Sequence, residues 1–108
     1  MQISEIRQRY GNIEQTIHHA SEACSKAIML PIDLKESIQQ LDQKSEQARQ
    51  TMLQSEDEES IRRCVDDLED LGDKARDACE RAPSVDEEVR NAVMQAHREL
   101  SDLKHQLH

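Results

Sequence analysis

Aromatic side chains are almost missing from this sequence, which has no Trp, no Phe and one Tyr among its 108 residues. Small-molecule pockets and single-stranded nucleic-acid sites commonly use aromatic rings as stacking surfaces. The chain also lacks a Gly-rich phosphate loop, a nucleophile elbow and a Ser/His/Asp grouping of catalytic type. The sequence therefore predicts a protein that is not an enzyme, with no catalytic residues and no cofactor.

Long apolar runs are also missing. No stretch of about 18 apolar residues could span a membrane. The first residues, Met1 to Glu5, have neither the basic nor the apolar region of a signal peptide. The three cysteines are odd in number and lack CxxC spacing, which favours reduced thiols over a disulfide framework. We therefore expect a cytoplasmic protein.

Positive charge is in short supply, because 14 Lys and Arg stand against 23 Asp and Glu, for a net charge of -9 at pH 7. Residues 56–82 contain eleven acidic and five basic side chains, so -6 of the net charge lies on one segment. An acidic balance of this kind disfavours nucleic acid and anionic membranes as direct partners.

Only two Gly and two Pro occur, and Pro31 and Pro83 both fall between segments in which apolar residues recur every three or four positions. This spacing is typical of amphipathic helices. Leu, Ile, Val and Phe number only 21, close to the composition of disordered chains, but the helical register in every segment favours a folded protein. The sequence predicts four helices, at residues 3–29, 33–54, 56–82 and 85–107.

Helices of this length joined by short turns predict an all-α, antiparallel up-down-up-down four-helix bundle with coiled-coil-like seams, formed by residues 1–108 as one domain. Three helix starts have the residue pairs of capping boxes: Asp33 and Glu36, Ser55 and Glu58, and Ser84 and Glu87. The join at Gln54–Ser55 has neither Gly nor Pro. An elongated bundle in which the second and third helices are continuous is therefore the alternative.

The predicted core positions follow the three-four spacing in each helix. In the second helix they are Leu34, Ile38, Leu41, Ser45, Ala48 and Met52. Small residues of the other three helices should meet at the end of the bundle near the first turn: Ala20, Ala23, Ala27, Ala75, Ala78, Ala82, Ala92 and Ala96. Ile32, Leu34 and Ile38 of the second helix should fill the space that remains there.

One face of the third helix is acidic. Six carboxylates at helical spacing form what we term the acid stripe: Glu59, Asp66, Asp70, Asp73, Asp77 and Glu80. Like charges at i,i+4 cost roughly 0.2–0.5 kcal/mol each in a helix, so the stripe is a candidate docking surface for a basic partner or a weak cation site. The preferred interpretation is a solvated outer face, because a straight row of carboxylates does not converge on an ion.

The histidines and cysteines are the remaining groups that could bind a metal or react. His18 and His97 should lie at about the same height in the bundle, which allows a two-histidine site, but surface histidines are the preferred interpretation. Cys24 and Cys79 lie on core seams near one end, so a redox pair is the alternative to small buried hydrophobes. The alternative function is accordingly a small metal- or thiol-responsive helical protein, whereas the preferred interpretation assigns no metal ligands.

The leading prediction is a non-enzymatic helical interaction module that binds itself or a protein partner, a basic one where the acid stripe is used. Met29, Leu53 and Met94 are large apolar residues outside the seams. If the seams fill the core, these residues remain near the surface, where a second chain could cover them in a two-fold homodimer. The acid stripe should lie outside that contact, because two copies facing each other would repel.

Overall fold

The computed structural model describes residues 2–82 and 84–108. Within them the chain forms four α helices: α1 (Ile3–Lys26), α2 (Ile32–Gln54), α3 (Glu58–Arg81) and α4 (Glu87–Leu107). Each helix packs against the next, and α1 also packs against α4, so that α1 lies diagonal to α3 and α2 lies diagonal to α4. The Cα atoms extend over 42 × 21 × 17 Å. The predicted up-down-up-down bundle is confirmed.

The alternative of one continuous helix through α2 and α3 is wrong, because residues 55–57 form a turn between them. Ser55 has extended backbone angles, φ -73° and ψ 138°. Its Oγ accepts a hydrogen bond from the backbone N–H of Asp57 at 3.1 Å, and an Asp57 carboxylate oxygen accepts one from the Ser60 hydroxyl at 2.7 Å. Local side-chain hydrogen bonds of this kind compete with the helix for the backbone and allow a turn without Gly or Pro.

The helices α3 and α4 each begin two residues later than predicted. The N-cap of α3 is Asp57, whose carboxylate accepts the N–H of Glu59 at 3.3 Å. The N-cap of α4 is Asp86, whose carboxylate accepts the N–H groups of Glu88 at 2.9 Å and Val89 at 3.4 Å. A carboxylate also interacts favourably with the positive end of the helix dipole, which explains why the Asp residues, and not the serines of the predicted capping boxes, are the caps.

The turn between α1 and α2 also differs from the prediction. α1 ends at Lys26 and not at Met29, because Ala27 is extended, with φ -72° and ψ 138°. The ring of a proline clashes with the carbonyl four residues earlier in a helix, which for Pro31 is the carbonyl of Ala27. α2 begins directly after Pro31, which is its N-cap. Pro83, which the sequence predicts to end the third helix, lies outside the described residues.

The core has two parts. The first is built from large side chains around Ile6, Tyr10, Ile17, Leu68 and Leu100. The second lies towards the α1–α2 turn and contains most of the predicted small residues together with one Leu and one Ile of α2. Its members are Ala20, Ala23, Cys24, Leu34, Ile38, Ala75, Ala78, Cys79, Val89, Ala92 and Val93. The predicted cluster of small residues is therefore largely confirmed, and small side chains let these helices approach closely.

Three members of that prediction lie outside this part of the core. Ala82 is half-buried and is not among the core residues. Ala96 belongs to the first part of the core. Ile32 does not fill the space beside the alanines, because as the first residue of α2 it points into solvent. All six predicted core positions of α2 are buried, including the polar Ser45.

The single aromatic residue has a polar contact inside the core. The Tyr10 hydroxyl donates a hydrogen bond to the backbone carbonyl of Ser45, and the Ser45 hydroxyl donates to the carbonyl of Asp42 at 2.7 Å. Burial raises the pKa of the Tyr10 hydroxyl far above its usual value. A buried polar pair is tolerated here because each hydroxyl has a hydrogen-bond partner.

Candidate functional site

The acid stripe is interrupted by partners along its length. Glu59 pairs with Arg63 at 3.2 Å and Asp77 pairs with Arg76 at 3.1 Å, both on α3 itself. Two other members contact α4, because His108 Nε2 lies 2.9 Å from Asp66 and His97 Nε2 lies 2.6 Å from Asp73. Asp70 and Glu80 are exposed. The stripe is therefore partly an interhelical contact, and its use as a docking surface stays a prediction.

A buried acidic residue, Glu69, lies beside the stripe and is not among the site residues predicted from the sequence. It is only 7% exposed, and one of its carboxylate oxygens accepts a hydrogen bond from Lys104 Nζ at 3.1 Å. That hydrogen bond raises the pKa of the Lys104 ammonium group. Its burial could have been predicted from its spacing. Glu69 follows Val65 by four residues and precedes Gly72 by three, so it lies on the apolar seam of α3.

One group of possible metal ligands joins α3 to α4. The ligand atoms of Glu69, Asp73 and His97 lie within 4.8 Å of one another. Two side-chain cations already contact this group, because Lys104 binds Glu69 and Arg76 Nη1 lies 3.1 Å from His97 Nε2. The group therefore forms a network of ion pairs and hydrogen bonds that holds α3 against α4. His97 is mostly buried in that network, contrary to the expected surface position.

A second group joins α1 to α2. His18 Nδ1 lies 2.5 Å from Asp42 Oδ1. One ligand atom of His18, one carboxylate oxygen of Asp42 and one of Glu46 lie within 4.8 Å of one another. Next to this group, Arg49 contacts Glu14 at 2.9 Å, and the hydrogen bond to Glu14 raises the pKa of the Arg49 guanidinium group. The second group thus has a neighbouring cation that is already paired with another carboxylate.

The positions of the two groups rule out the alternative of a site shared by His18 and His97. His18 contacts α2, whereas His97 contacts α3. The two side chains therefore belong to different helix pairs and do not form a common site.

The cysteines are free thiols in the positions of small hydrophobic residues. Cys24 and Cys79 are buried in the second part of the core, and Cys64 is half-buried against the first. Burial raises the pKa of the Cys24 and Cys79 thiols. Since the thiolate is the reactive form, both positions are unfavourable for redox chemistry at neutral pH.

Among the described residues, the largest exposed apolar feature is the connection between α1 and α2, which we term the apolar turn (Ile28–Ile32). Ile28 is 94% exposed, Met29 86% and Ile32 74%. Residues 28–31 line an open groove of about 660 Å³ together with Lys35 and Ser84. Several exposed apolar side chains that lie close together are typical of an interaction surface.

The three residues expected near the surface therefore do not form one patch. Met29 belongs to the apolar turn, and Leu53, 45% exposed, lies at the far end of α2. An α helix of this length spans about 34 Å. Met94 is half-buried and packs against the second part of the core.

Among the described residues, no helix has both the length and the apolar character needed to cross a membrane. No protein-family model, no curated protein and no solved structure matches this chain.

Proposed function

We propose that this protein is a non-enzymatic helical interaction module, and that it binds with the apolar turn to a second copy of itself. The observation that supports the proposal is the exposure of Ile28, Met29 and Ile32 side by side at one end of the bundle. Nearly all other large apolar side chains among the described residues are buried or half-buried, with Leu53 the exception. Exposed apolar side chains that lie together are normally covered by another chain.

The charges around the apolar turn are compatible with contact between two copies. Lys26 and Lys35 lie near it, and the nearby Arg81 pairs with Asp33 at 3.3 Å. The acid stripe runs along the side of α3, so a two-fold, end-to-end contact through the apolar turn keeps the two stripes apart. A C₂ dimer of this kind buries the same patch on both subunits.

The size of the patch indicates a weak dimer. Burying one exposed Ile or Met contributes about 1.5–3 kcal/mol, so three from each copy contribute roughly 9–18 kcal/mol before any cost. Association costs an estimated 4–15 kcal/mol in lost translational and rotational freedom, and further ordering terms add to that cost. We therefore expect a dimer that forms at micromolar to millimolar concentrations.

The dimer leaves both acid stripes on the outside, where they offer carboxylates such as Asp70 to a basic protein surface. The charge of the chain favours such a partner over nucleic acid or an anionic membrane. Three free thiols support action in a reducing compartment, the cytoplasm.

Sedimentation equilibrium on the tag-free protein from about 10 µM to about 1 mM, the range that corresponds to a weak complex, tests the proposal. The wild type should pass from monomer to dimer. The variant I28S/M29S/I32S should remain monomeric with an unchanged helical circular dichroism spectrum, because these side chains lie outside the core.

Two controls make the experiment specific. L53S removes an exposed apolar side chain at the other end of the bundle, and D70N/D73N reduces the charge of the acid stripe; neither should weaken the dimer. A wild type that stays monomeric at the highest concentration contradicts the proposal. Loss of the dimer in L53S or D70N/D73N, with none in the triple serine variant, contradicts the assigned surface.

A further inference from the structure

We propose that His18, Asp42 and Glu46 form a binding site for a divalent transition-metal ion, with Zn²⁺ as the probe. The three residues supply one imidazole nitrogen and two carboxylate oxygens. This mixture of ligands suits Zn²⁺ and the neighbouring first-row divalent ions, whereas Ca²⁺ and Mg²⁺ prefer oxygen ligands alone. The inference is independent of the proposed dimer.

The ligands converge because they come from two helices. Asp42 and Glu46 are four residues apart and so lie on the same face of α2, one turn from each other. His18 faces them from α1. The straight row of the acid stripe lacks this convergence.

The distances are close to those that a metal ion needs. Ligand bonds to Zn²⁺ from nitrogen or carboxylate oxygen are about 2.0–2.2 Å, so two ligand atoms of one ion are at most about 4.4 Å apart. The three atoms already lie within 4.8 Å of one another. Glu46 is exposed and its side chain can rotate towards the ion, while His18 Nδ1 and Asp42 Oδ1 need to separate slightly from 2.5 Å.

An unsatisfied oxygen marks the same position. Asp42 Oδ1 is buried and has no hydrogen-bond partner among the described residues, although it lies 2.5 Å from His18 Nδ1. The contact is close but lacks the alignment of a hydrogen bond. A buried oxygen left without a partner costs free energy, and an ion shared with the imidazole nitrogen would satisfy it.

Charge distinguishes this group from the one between α3 and α4. The group contains two carboxylates, and the nearby Arg49 is paired with Glu14. At Glu69, Asp73 and His97 a metal ion would have to displace both Lys104 and Arg76. At the group between α1 and α2 a dication therefore has only the His18–Asp42 contact to separate, and it displaces no Lys or Arg from its ligands.

Isothermal titration of Zn²⁺ into chelator-treated, tag-free protein tests the site. We expect wild-type protein to bind one equivalent, and H18Q and D42N to bind at least tenfold more weakly. H97Q removes the histidine of the other group, and H19Q removes the exposed neighbour of His18; both should bind as the wild type does. Absence of binding, equal binding by H18Q and D42N, or loss of binding in H97Q or H19Q overturns the proposal.

Two further measurements test the site in ways that do not depend on the stability of a variant. In ¹H–¹³C spectra of the wild-type protein, one equivalent of Zn²⁺ should shift or broaden the imidazole signals of His18 and leave those of His97 unchanged. Zn²⁺ should also raise the melting temperature of the wild type and of H97Q, because an ion that binds only the folded state stabilises it, but not that of D42N. Shifts centred on His97, or an equal rise in D42N, contradict the site.

The proposed metal site and the proposed dimer can be tested independently of each other. The variant I28S/M29S/I32S keeps all three ligands and should bind Zn²⁺ as the wild type does. Zn²⁺ binding that depends on the apolar turn would place the ion between subunits and would contradict the assignment to α1 and α2 of one chain.

Discussion

Replacing Gly11 with Ala should stabilise the protein. Gly11 lies within α1, which runs without a break from Ile3 to Lys26, and its φ angle is not positive. A Cβ atom added at Gly11 meets no other heavy atom within 4 Å beyond the helix's own nearby backbone. The substitution therefore adds the helix propensity of Ala without a steric cost, and we expect a gain of about 0.5–1 kcal/mol in the free energy of unfolding.

Gly72 provides the matched comparison in α3. A Cβ atom at Gly72 would lie 3.2 Å from Leu100 Cδ1 and 3.9 Å from the His97 Cα atom. Leu100 is fully buried, so its side chain has little room to move away. The same gain in propensity is offset by this contact between α3 and α4, and we expect G72A to be no more stable than the wild type.

Urea unfolding and thermal unfolding, both followed by circular dichroism, measure the two variants. For a protein of this size, a gain of 0.5–1 kcal/mol corresponds to a rise of about 2–4 °C in melting temperature. A destabilised G11A would contradict an unbroken α1. A G72A variant as stabilised as G11A would contradict the close packing of α3 on α4 at this point.

Two further predictions concern a helix cap and the buried tyrosine. D86A should lower the free energy of unfolding by about 1 kcal/mol, because Asp86 caps α4, whereas S84A should change it little. Urea denaturation measures both variants. A larger effect of S84A than of D86A would indicate that Ser84 is the cap, as the capping box in the sequence predicts. Y10F should cost about 1 kcal/mol below pH 10 through the lost hydrogen bond to Ser45. Burial raises the pKa of Tyr10 in the folded state, so the unfolded chain loses the phenolic proton first as pH rises. The difference in free energy of unfolding between the wild type and Y10F should therefore shrink above about pH 10. A difference that is constant from pH 8 to pH 11 would contradict a buried phenol.

The helical pattern of the sequence predicts most of the core because burial within one helix depends on spacing alone. Every predicted core residue of α2, from Leu34 to Met52, is buried. The arrangement of the small residues also follows, because an up-down-up-down topology determines which helix ends meet. The exceptions are at the ends of helices, where Ile32 and the caps depend on local hydrogen bonds that compete over two or three residues.

The polar contacts between helices could not be predicted in the same way. The pairing of His18 with Asp42, and of Glu69 with Lys104, depends on the rotation and axial offset of neighbouring helices. A shift of one residue along either helix would bring different side chains together. Of these residues, only Glu69 could have been identified from the sequence, because it occupies a seam position where an apolar residue is expected.

The proposed dimer through the apolar turn can be tested by mapping the residues whose surroundings change on self-association. Amide ¹H–¹⁵N spectra recorded as the protein is diluted from about 1 mM to about 20 µM, across the range of a weak complex, report those residues one by one. We expect concentration-dependent shifts confined to the apolar turn and its neighbours, residues 27–35 and Ser84. Shifts centred on the acid stripe, or spectra that do not change with concentration, would contradict it.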